Sequence, residues 1–511
     1  MKPALKPARG TLPRPRRSVH TLALALPLLA LLGSAPARAL DPFDTEALTP
    51  PRPLLGGPES ARPCPERPAA APLDLVEVVN RALCHNPQTR EIWANARAQA
   101  ALVGVAQAAY LPSLNLAAGQ SRNRNDARNP ESYTQKNASL TLSYLLFDFG
   151  TRAATLENAR QLLAAAAATQ DSTVQSVFLA ALQGYYQVQA GDAAQAAARE
   201  SERAAQESFN AAEARYKVGT ATPADRLQAQ TAYSQATLKR IQAERDLKNA
   251  QGSLATVIGG DAHRPPALVP AAPLAAPDKA FQQDVAALVE EARRRRPDLN
   301  AAEAQVKAAQ ASVDAARAAG LPTVSLAAAP AFQDIGGSSS HTSSIGVTLN
   351  VPLFTGFSTT YKVRNAEALK EAREAQRERI RQQVALDVWQ SYQNLLTAGQ
   401  SLQTTADLLN SAEAAEKVAL GRYKAGVGSI LDVLNAQSAL ALARQQRVQA
   451  TFDWNVSRAT LAQAMGNLDI SLLQSLPDAR SSATTTLPSS ASQPLNGASQ
   501  PVSSGTPQGT N

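Results

Sequence analysis

Arg422-Tyr-Lys-Ala-Gly-Val-Gly-Ser-Ile-Leu-Asp432-Val-Leu-Asn-Ala-Gln437 decides the fold, because Arg215-Tyr-Lys-Val-Gly-Thr-Ala-Thr-Pro-Ala-Asp225-Arg-Leu-Gln-Ala-Gln230 gives nearly the same text 207 residues earlier. A helical pattern runs into each copy and another runs out of it. Gly219 and Gly426 stand where the incoming helix must stop, since glycine takes the left-handed C′ conformation without steric cost. The outgoing helix starts at once. Thr222 can be its N-cap with Pro223 at N1 and Asp225 at N3, and Ser429 and Asp432 take the N-cap and N3 places in the later copy. Helices joined by so short a turn lie side by side, so each copy is the tip of a helical hairpin.

The duplication extends outward from the tips. Pro87, Leu111-Pro112 and Leu114 are matched by Pro297, Leu321-Pro322 and Val324, 210 residues on. Phe147, Tyr185, Tyr216, Gly219, Asp225 and Gly259 are matched by Phe354, Tyr392, Tyr423, Gly426, Asp432 and Gly466, 207 residues on. The three-residue difference falls between paired strands, where an exposed loop tolerates insertion. Each repeat opens with a helix that is interrupted before a proline: Leu73 to about Tyr110, broken near Asn86-Pro87, in the first. Leu-Pro ends that helix, and two alternating strands follow. A long helix then runs from Gly150 to about Val218, on the order of 100 Å at 1.5 Å per residue. Its apolar residues Val174, Phe178, Ala181, Tyr185 and Val188 alternate steps of four and three, as in a coiled-coil seam. Val388, Tyr392, Leu395, Gly399, Leu402, Ala406 and Leu409 repeat the seam. The returning helix spans Pro223 to about Ile258.

These patterns divide the chain into a leader at 1–39, a strap at 40–72, repeats at 73–260 and 279–467 joined by a linker at 261–278, and a tail at 468–511. Nine prolines make the strap extended and five mark the linker. The tail is Ser, Thr, Pro and Gly with few apolar residues, a composition that remains disordered.

In a chain of 511 residues with several possible domains, aromatics at 5% and abundant alanine favour long helices packed through small side chains. The net charge of +8 suggests nucleic acid until it is located. Seven positive residues and no acid lie in 1–39, which leaves +1 for the rest and removes the main support for a nucleic-acid partner. That basic start, the apolar run Thr21 to Gly33 and Ala37-Arg38-Ala39 read as a secretory signal cut before Leu40. No cysteine follows the cut to carry a lipid. No later segment is long and apolar enough for a transmembrane helix, which leaves a soluble protein or one that crosses a membrane as strands.

The two cysteines, Cys64 and Cys84, suit a disulfide in an oxidising compartment. It would pin the strap to the first helix, stabilising by roughly 3 kcal/mol in the loop-entropy model, and two buried thiols are the alternative. His20, His85, His263 and His341 lack metal-ligand spacing, and there is no phosphate loop or nucleophile elbow, so neither a metal nor a cofactor is expected. The run Arg293 to Arg296 reads as a solvated face at a helix end.

The strands carry the functional reading. Leu114, Leu116, Leu140, Leu142 and Tyr144 alternate with Ser113, Asn115, Ser139, Thr141 and Ser143, around a polar loop from Arg122 to Lys136. Val324, Leu326 and Ala328, then Ile345, Val347, Leu349 and Val351, alternate with small or polar residues in the second repeat. Four strands of roughly ten residues with one apolar and one polar face match a transmembrane barrel, although short alternating strands also occur in soluble sheets. Four strands cannot close a barrel, so two or three chains would have to share one, and three leave room for a channel.

The order of helix, Leu-Pro, strand hairpin, Phe-Asp-Phe-Gly or Phe-Thr-Gly-Phe, long helix, Arg-Tyr-Lys-x-Gly tip and returning helix resembles the TolC family of outer-membrane channel-tunnels over residues 73–466. Leu40-Asp-Pro-Phe, Cys64-Pro and Ala82-Leu-Cys-His-Asn-Pro are similar to its CyaE branch, which serves type I secretion of an adenylate cyclase toxin. The resemblance implies mixed α and membrane β structure. A homotrimer would share a twelve-stranded barrel in outer-membrane lipid, continued by an α-barrel across the periplasm. It implies no enzyme activity, and as partners a periplasmic adaptor (membrane fusion protein) and an inner-membrane ABC transporter or RND pump. The adaptor would meet Gly219, Thr220, Gly426, Val427 and Gly428.

Asp432 matches the constriction of the family's periplasmic gate, where three carboxylates would repel one another and attract cations. Tyr423 and Asp225 match positions that hold the closed tip by hydrogen bonds between hairpins. Gly428 stands where some members carry an arginine clasp and Asn435 where some carry a second acid, which implies a weaker, less cation-selective gate. Both aspartates also have a plainer explanation, because an acid at N3 favours its helix dipole by roughly 0.3–1 kcal/mol. The alternatives to toxin export are drug or metal efflux on the same fold and a periplasmic coiled-coil scaffold without a pore.

Overall fold

The computed structural model describes residues 41–51, 72–125, 131–270 and 284–468. The signal sequence, most of the strap with Cys64, and the tail lie outside the described residues, and so therefore does the expected Cys64 to Cys84 pairing. Helices α1 (Leu75–His85) and α2 (Pro87–Ala108), strands β1 (Ser113–Asn125) and β2 (Glu131–Phe147), and helices α3 (Thr151–Lys217) and α4 (Pro223–Val257) form the first series. The second is α5 (Val285–Arg295), α6 (Pro297–Ala318), β3 (Thr323–Ile335), β4 (Ser338–Asn350), α7 (Ser358–Lys424) and α8 (Ile430–Ala464). The chain divides into two compact units. One holds Ala96–Leu163, Lys307–Ala368 and the described residues up to Pro50; the other holds the described parts of Pro51–Asn95, Ala164–Val306 and Leu369–Asn511.

The first unit contains one antiparallel sheet in the order β1-β2-β3-β4. Its register settles which residues share a face. Leu114, Leu142, Ala328 and Ile345 form one row, and Tyr144, Leu326 and Val347 form the next. At Leu145/Phe147 the register shifts by one residue, which returns Phe147 to the apolar row opposite Val324 and Leu349. Rows of small and polar residues, such as Ser113, Ser143, Ala327 and Gly346, occupy the other face. The strands are 13, 17, 13 and 13 residues long rather than about ten. Most of the expected Arg122 to Lys136 loop is ladder, because backbone pairing continues where side chains turn polar, with Asn123 Nδ2 donating to Gln135 Oε1 at 3.0 Å. Hydropathy records only the apolar band.

Where strand meets long helix, both repeats need two successive residues in the left-handed region. Phe149 and Gly150 (φ 49° and 99°) supply them in the first copy, Gly356 and Phe357 (φ 60° and 64°) in the second. Glycine and phenylalanine have thus exchanged places. A phenylalanine there costs about 1–2 kcal/mol, but its ring packs edge-on against Phe147 at 4.7 Å or Phe354 at 5.5 Å, contacts of about 0.5–1.5 kcal/mol that offset much of the strain.

The second unit has two related cores. Leu75, Val78, Val79, Ala82 and Leu83 of α1 pack with the α3 seam at Phe178, Ala181, Tyr185 and Val188 and with Leu247 and Leu254 of α4. Leu288 and Ala292 of α5 pack with Val388, Tyr392 and Leu395 of α7 and with Leu461 of α8. Small residues permit the close helix approach that the composition foretold. A Cβ added at Gly191 would lie 3.2 Å from Leu247 Cδ1, and one at Gly399 would lie 3.1 Å from the Trp454 ring. Within the linker, Leu268 forms a parallel bridge with Leu73.

The interrupted helices show how the repeats diverged. In the first, Asn86 donates to Val257 O at 3.0 Å and its Oδ1 accepts from Gln88 N at 2.8 Å. In the second, Arg296 at the same place turns inward, a departure from the solvated arginine face expected there. It bonds Asp298 through two nitrogens, at 3.0 and 2.6 Å, and Asp387 at 2.7 Å. Burial alone would lower the Arg296 pKa, but the two carboxylates prevail and raise it above the ordinary value. Arg295 keeps the exposed role, paired with Glu291, and half-buried Arg293 pairs with Glu290.

Gly219, Gly426, Gly259 and Gly466 all end helices with φ between 71° and 80°, yet a methyl at each would meet different surroundings. Gly219→Ala and Gly426→Ala find no atom within 4 Å and should cost only the left-handed strain, about 1 kcal/mol. Gly259→Ala would set a methyl 2.5 Å from His85 O and should destabilise far more. Thermal unfolding followed by circular dichroism of the four alanine variants checks this order, and equal losses at Gly219 and Gly259 would contradict it.

Candidate functional site at the hairpin tips

At each tip the helix ends as the glycine requires. Thr220 N donates to Arg215 O at 2.9 Å and Gly219 N to Tyr216 O at 3.0 Å, while Val427 N and Gly426 N repeat the pattern with Arg422 O and Tyr423 O at 3.0 and 3.1 Å. Both following helices begin with reciprocal caps. Asp225 Oδ2 accepts from Thr222 N at 2.9 Å and from Thr222 Oγ1 at 2.8 Å. Asp432 Oδ2 accepts from Ser429 N at 3.3 Å, and Ser429 Oγ accepts from Leu431 N at 3.0 Å. In Asp432 the cap engages only Oδ2. The carboxylate is thereby fixed in direction while Oδ1 makes no hydrogen bond among the described residues.

The tyrosines part company. Tyr216 is 38% exposed, whereas Tyr423 is 6% exposed and packs with Ala212, Ala229, Ile430, Val433 and Leu434. Asp225 is spent on its own helix, so within the chain the structure does not pair it with Tyr423. Asp432 and Asn435 are exposed on α8, and Gly219, Thr220, Gly426 and Val427 form the exposed rim of the two turns. Gly428 is confined: a Cβ there would lie 3.0 Å from both Arg422 Cβ and Tyr423 N. A side chain at 428 would press on the turn, which would have to yield by a few tenths of an ångström.

Two cross-hairpin contacts escaped the sequence reading. Arg215 lays its guanidinium over the Tyr423 ring, 4.1 Å from the centroid, and its Nη2 donates to Tyr423 O at 2.8 Å. A cation over an aromatic face contributes about 0.5–2 kcal/mol according to its exposure. Further along, Gln437 Nε2 donates to Ser208 Oγ at 3.0 Å, and Ser208 is buried. In the sequence Arg215 is one member of a repeated Arg-Tyr-Lys-x-Gly, and nothing there separates it from Arg422.

The rest of the described residues hold no group of three His, Cys, Asp or Glu side chains able to take a metal, and no helix among them is long and apolar enough to cross a membrane. His341 packs at a tilt against Phe332 across β3 and β4, 5.1 Å between ring centres. A polar cavity of about 420 Å³ lies beside Arg296, lined by Ser172, Gln175, Asp298, Asp387 and Asn394 among others. Its charged groups are already paired with one another.

The model of the family described as outer membrane efflux protein matches residues 78–260 and 288–467. The Protein CyaE of Bordetella pertussis is 33% identical over 424 residues, 81% of this chain and 89% of the relative. The probable efflux pump outer membrane protein SepC of Pseudomonas putida is 30% identical over 404 residues, 76% of this chain and 82% of the relative. In fold, the CmeC outer membrane channel of Campylobacter jejuni superposes with a TM-score of 0.71 at 19% identity, covering 77% of this chain and 86% of that one. With both repeats matched by the family's model and relatives aligned over most of its length, the chain belongs to the outer membrane efflux protein family.

Proposed function

We propose that three copies of this chain form the outer-membrane exit duct of a tripartite export system, and that its cargo is a protein delivered by type I secretion. The sheet carries this reading. Leu114, Leu116, Ile345, Val347 and Leu349 share one face and are each at least 60% exposed, so among the described residues nothing covers them. β1 and β4 are open edges. Unpaired strand edges cannot face hydrocarbon, and three four-stranded sheets close a twelve-stranded barrel wide enough for a channel. Each repeat, at 73–260 and 279–467, supplies one strand hairpin and one helical hairpin. The CyaE relative, the more identical of the two, favours protein secretion; SepC, a probable efflux pump outer membrane protein, supports drug or metal efflux as the second reading.

On this reading the tips are the periplasmic gate. Three copies would bring the exposed Asp432 carboxylates towards one axis, with Asn435 one turn along the helix, and the rim of Gly219, Thr220, Gly426, Val427 and Gly428 would receive a periplasmic adaptor. An inner-membrane ABC transporter, or an RND pump in the efflux reading, supplies energy. The duct carries out no chemistry.

Deleting the gene should abolish appearance of a secreted protein in the medium and leave drug and metal sensitivity unchanged; the reverse pattern would favour efflux. In planar bilayers the purified protein should show discrete cation-preferring conductance, and its complete absence under conditions that open the tip would favour a scaffold. Asp432→Asn keeps an acceptor for the cap while removing the charge. It should hold the melting temperature and lower cation preference severalfold, and an unchanged preference would return Asp432 to capping alone.

A further inference from the structure

We propose that Arg215 is a positioning residue that fastens the second helical hairpin of each chain to the first, in one direction only, and so sets where Asp432 stands. The inference rests on the gate reading for its consequence but not for its geometry. Arg215, in the last turn of α3, grips Tyr423 twice: ring face at 4.1 Å and main-chain oxygen at 2.8 Å. The planar guanidinium suits this double duty, since one face can stack while an edge donates. Tyr423 is the final buried residue before the α7 turn, and its neighbours Ile430, Val433 and Leu434 belong to the helix that carries Asp432. Holding Tyr423 therefore holds the start of α8.

The duplication makes the grip asymmetric. Arg422 is the repeat of Arg215, but it is exposed and its Cβ lies under the turn, 3.0 Å from where a Cβ of residue 428 would be. Tyr216 is the repeat of Tyr423, but the arginine over it is Arg226 of its own hairpin, at 5.7 Å. The first hairpin is thus closed on itself and the second is held from outside. Gly428 carries no side chain to clasp this face of the second tip, and the contact that holds it comes from Arg215 of the other repeat. Ser208 and Gln437 add a second tie further along the same pair of helices. Release of Arg215 would free the second hairpin alone.

The test is hydrogen–deuterium exchange of the full-length protein in detergent, read at 419–434 and 212–225, beside conductance in planar bilayers. Arg215→Ala should speed exchange at 419–434 severalfold, leave 212–225 unchanged and raise the closed-state conductance. Arg215→Lys keeps the charge but not the planar fork and should recover only part of the protection. Tyr423→Phe keeps both the ring and the carbonyl that Arg215 holds, so its exchange at 419–434 should stay well below that of Arg215→Ala. Unchanged exchange at 419–434 in Arg215→Ala, equal loosening of both tips, or protection in Tyr423→Phe lost as fully as in Arg215→Ala would each overturn the proposal. If exchange rises at 419–434 alone while conductance does not, the clasp stands and the gate reading falls.

Discussion

An amide that enters hydrocarbon leaves water behind and must find its hydrogen bond within protein. That constraint governs what the four-stranded sheet can be. Its apolar rows run unbroken from β1 to β4, a surface that water disfavours, while its two outer strands leave donors and acceptors unspent. In water the apolar face is the liability; in lipid the edges are. Closure among copies removes both at once, and this is why the chain makes physical sense as a share of a barrel.

The two repeats show which features of a duplicated fold are obligatory. The left-handed glycines, the reciprocal caps and the paired left-handed residues after each strand hairpin persist because backbone geometry enforces them. What varies is whatever side chains can arrange in more than one way. Phe149-Gly150 and Gly356-Phe357 satisfy one backbone demand in opposite orders, each with its ring against a neighbouring phenylalanine. Asn86 and Arg296 fill the same helix junction, one with an amide that bonds main chain and the other with a charge between two carboxylates.

At the tips, capping does not exclude the gating role proposed for Asp432. The cap uses Oδ2 and leaves Oδ1 without a hydrogen bond among the described residues. Asp225 differs in degree, because its cap is tighter and takes bonds from both the amide and the hydroxyl of Thr222.

The sequence by itself determined the duplication, the helices of the first repeat to within a few residues, both tip turns with their caps, and the alternation of faces within the apolar band of the strands. Those features depend on local φ preference and on short periods, which neighbouring residues encode. Only the tertiary structure decided that the ladder outlasts the apolar band, that Arg296 is drawn inward among apparently solvated arginines, that residue 428 lies close against Arg422 and Tyr423, and that Arg215 lies over Tyr423 while Arg226, not Arg422, lies over Tyr216. Each of these depends on atoms brought together from distant parts of the chain. Repeated motifs look alike in sequence, and their partners distinguish them only after the two hairpins lie against each other.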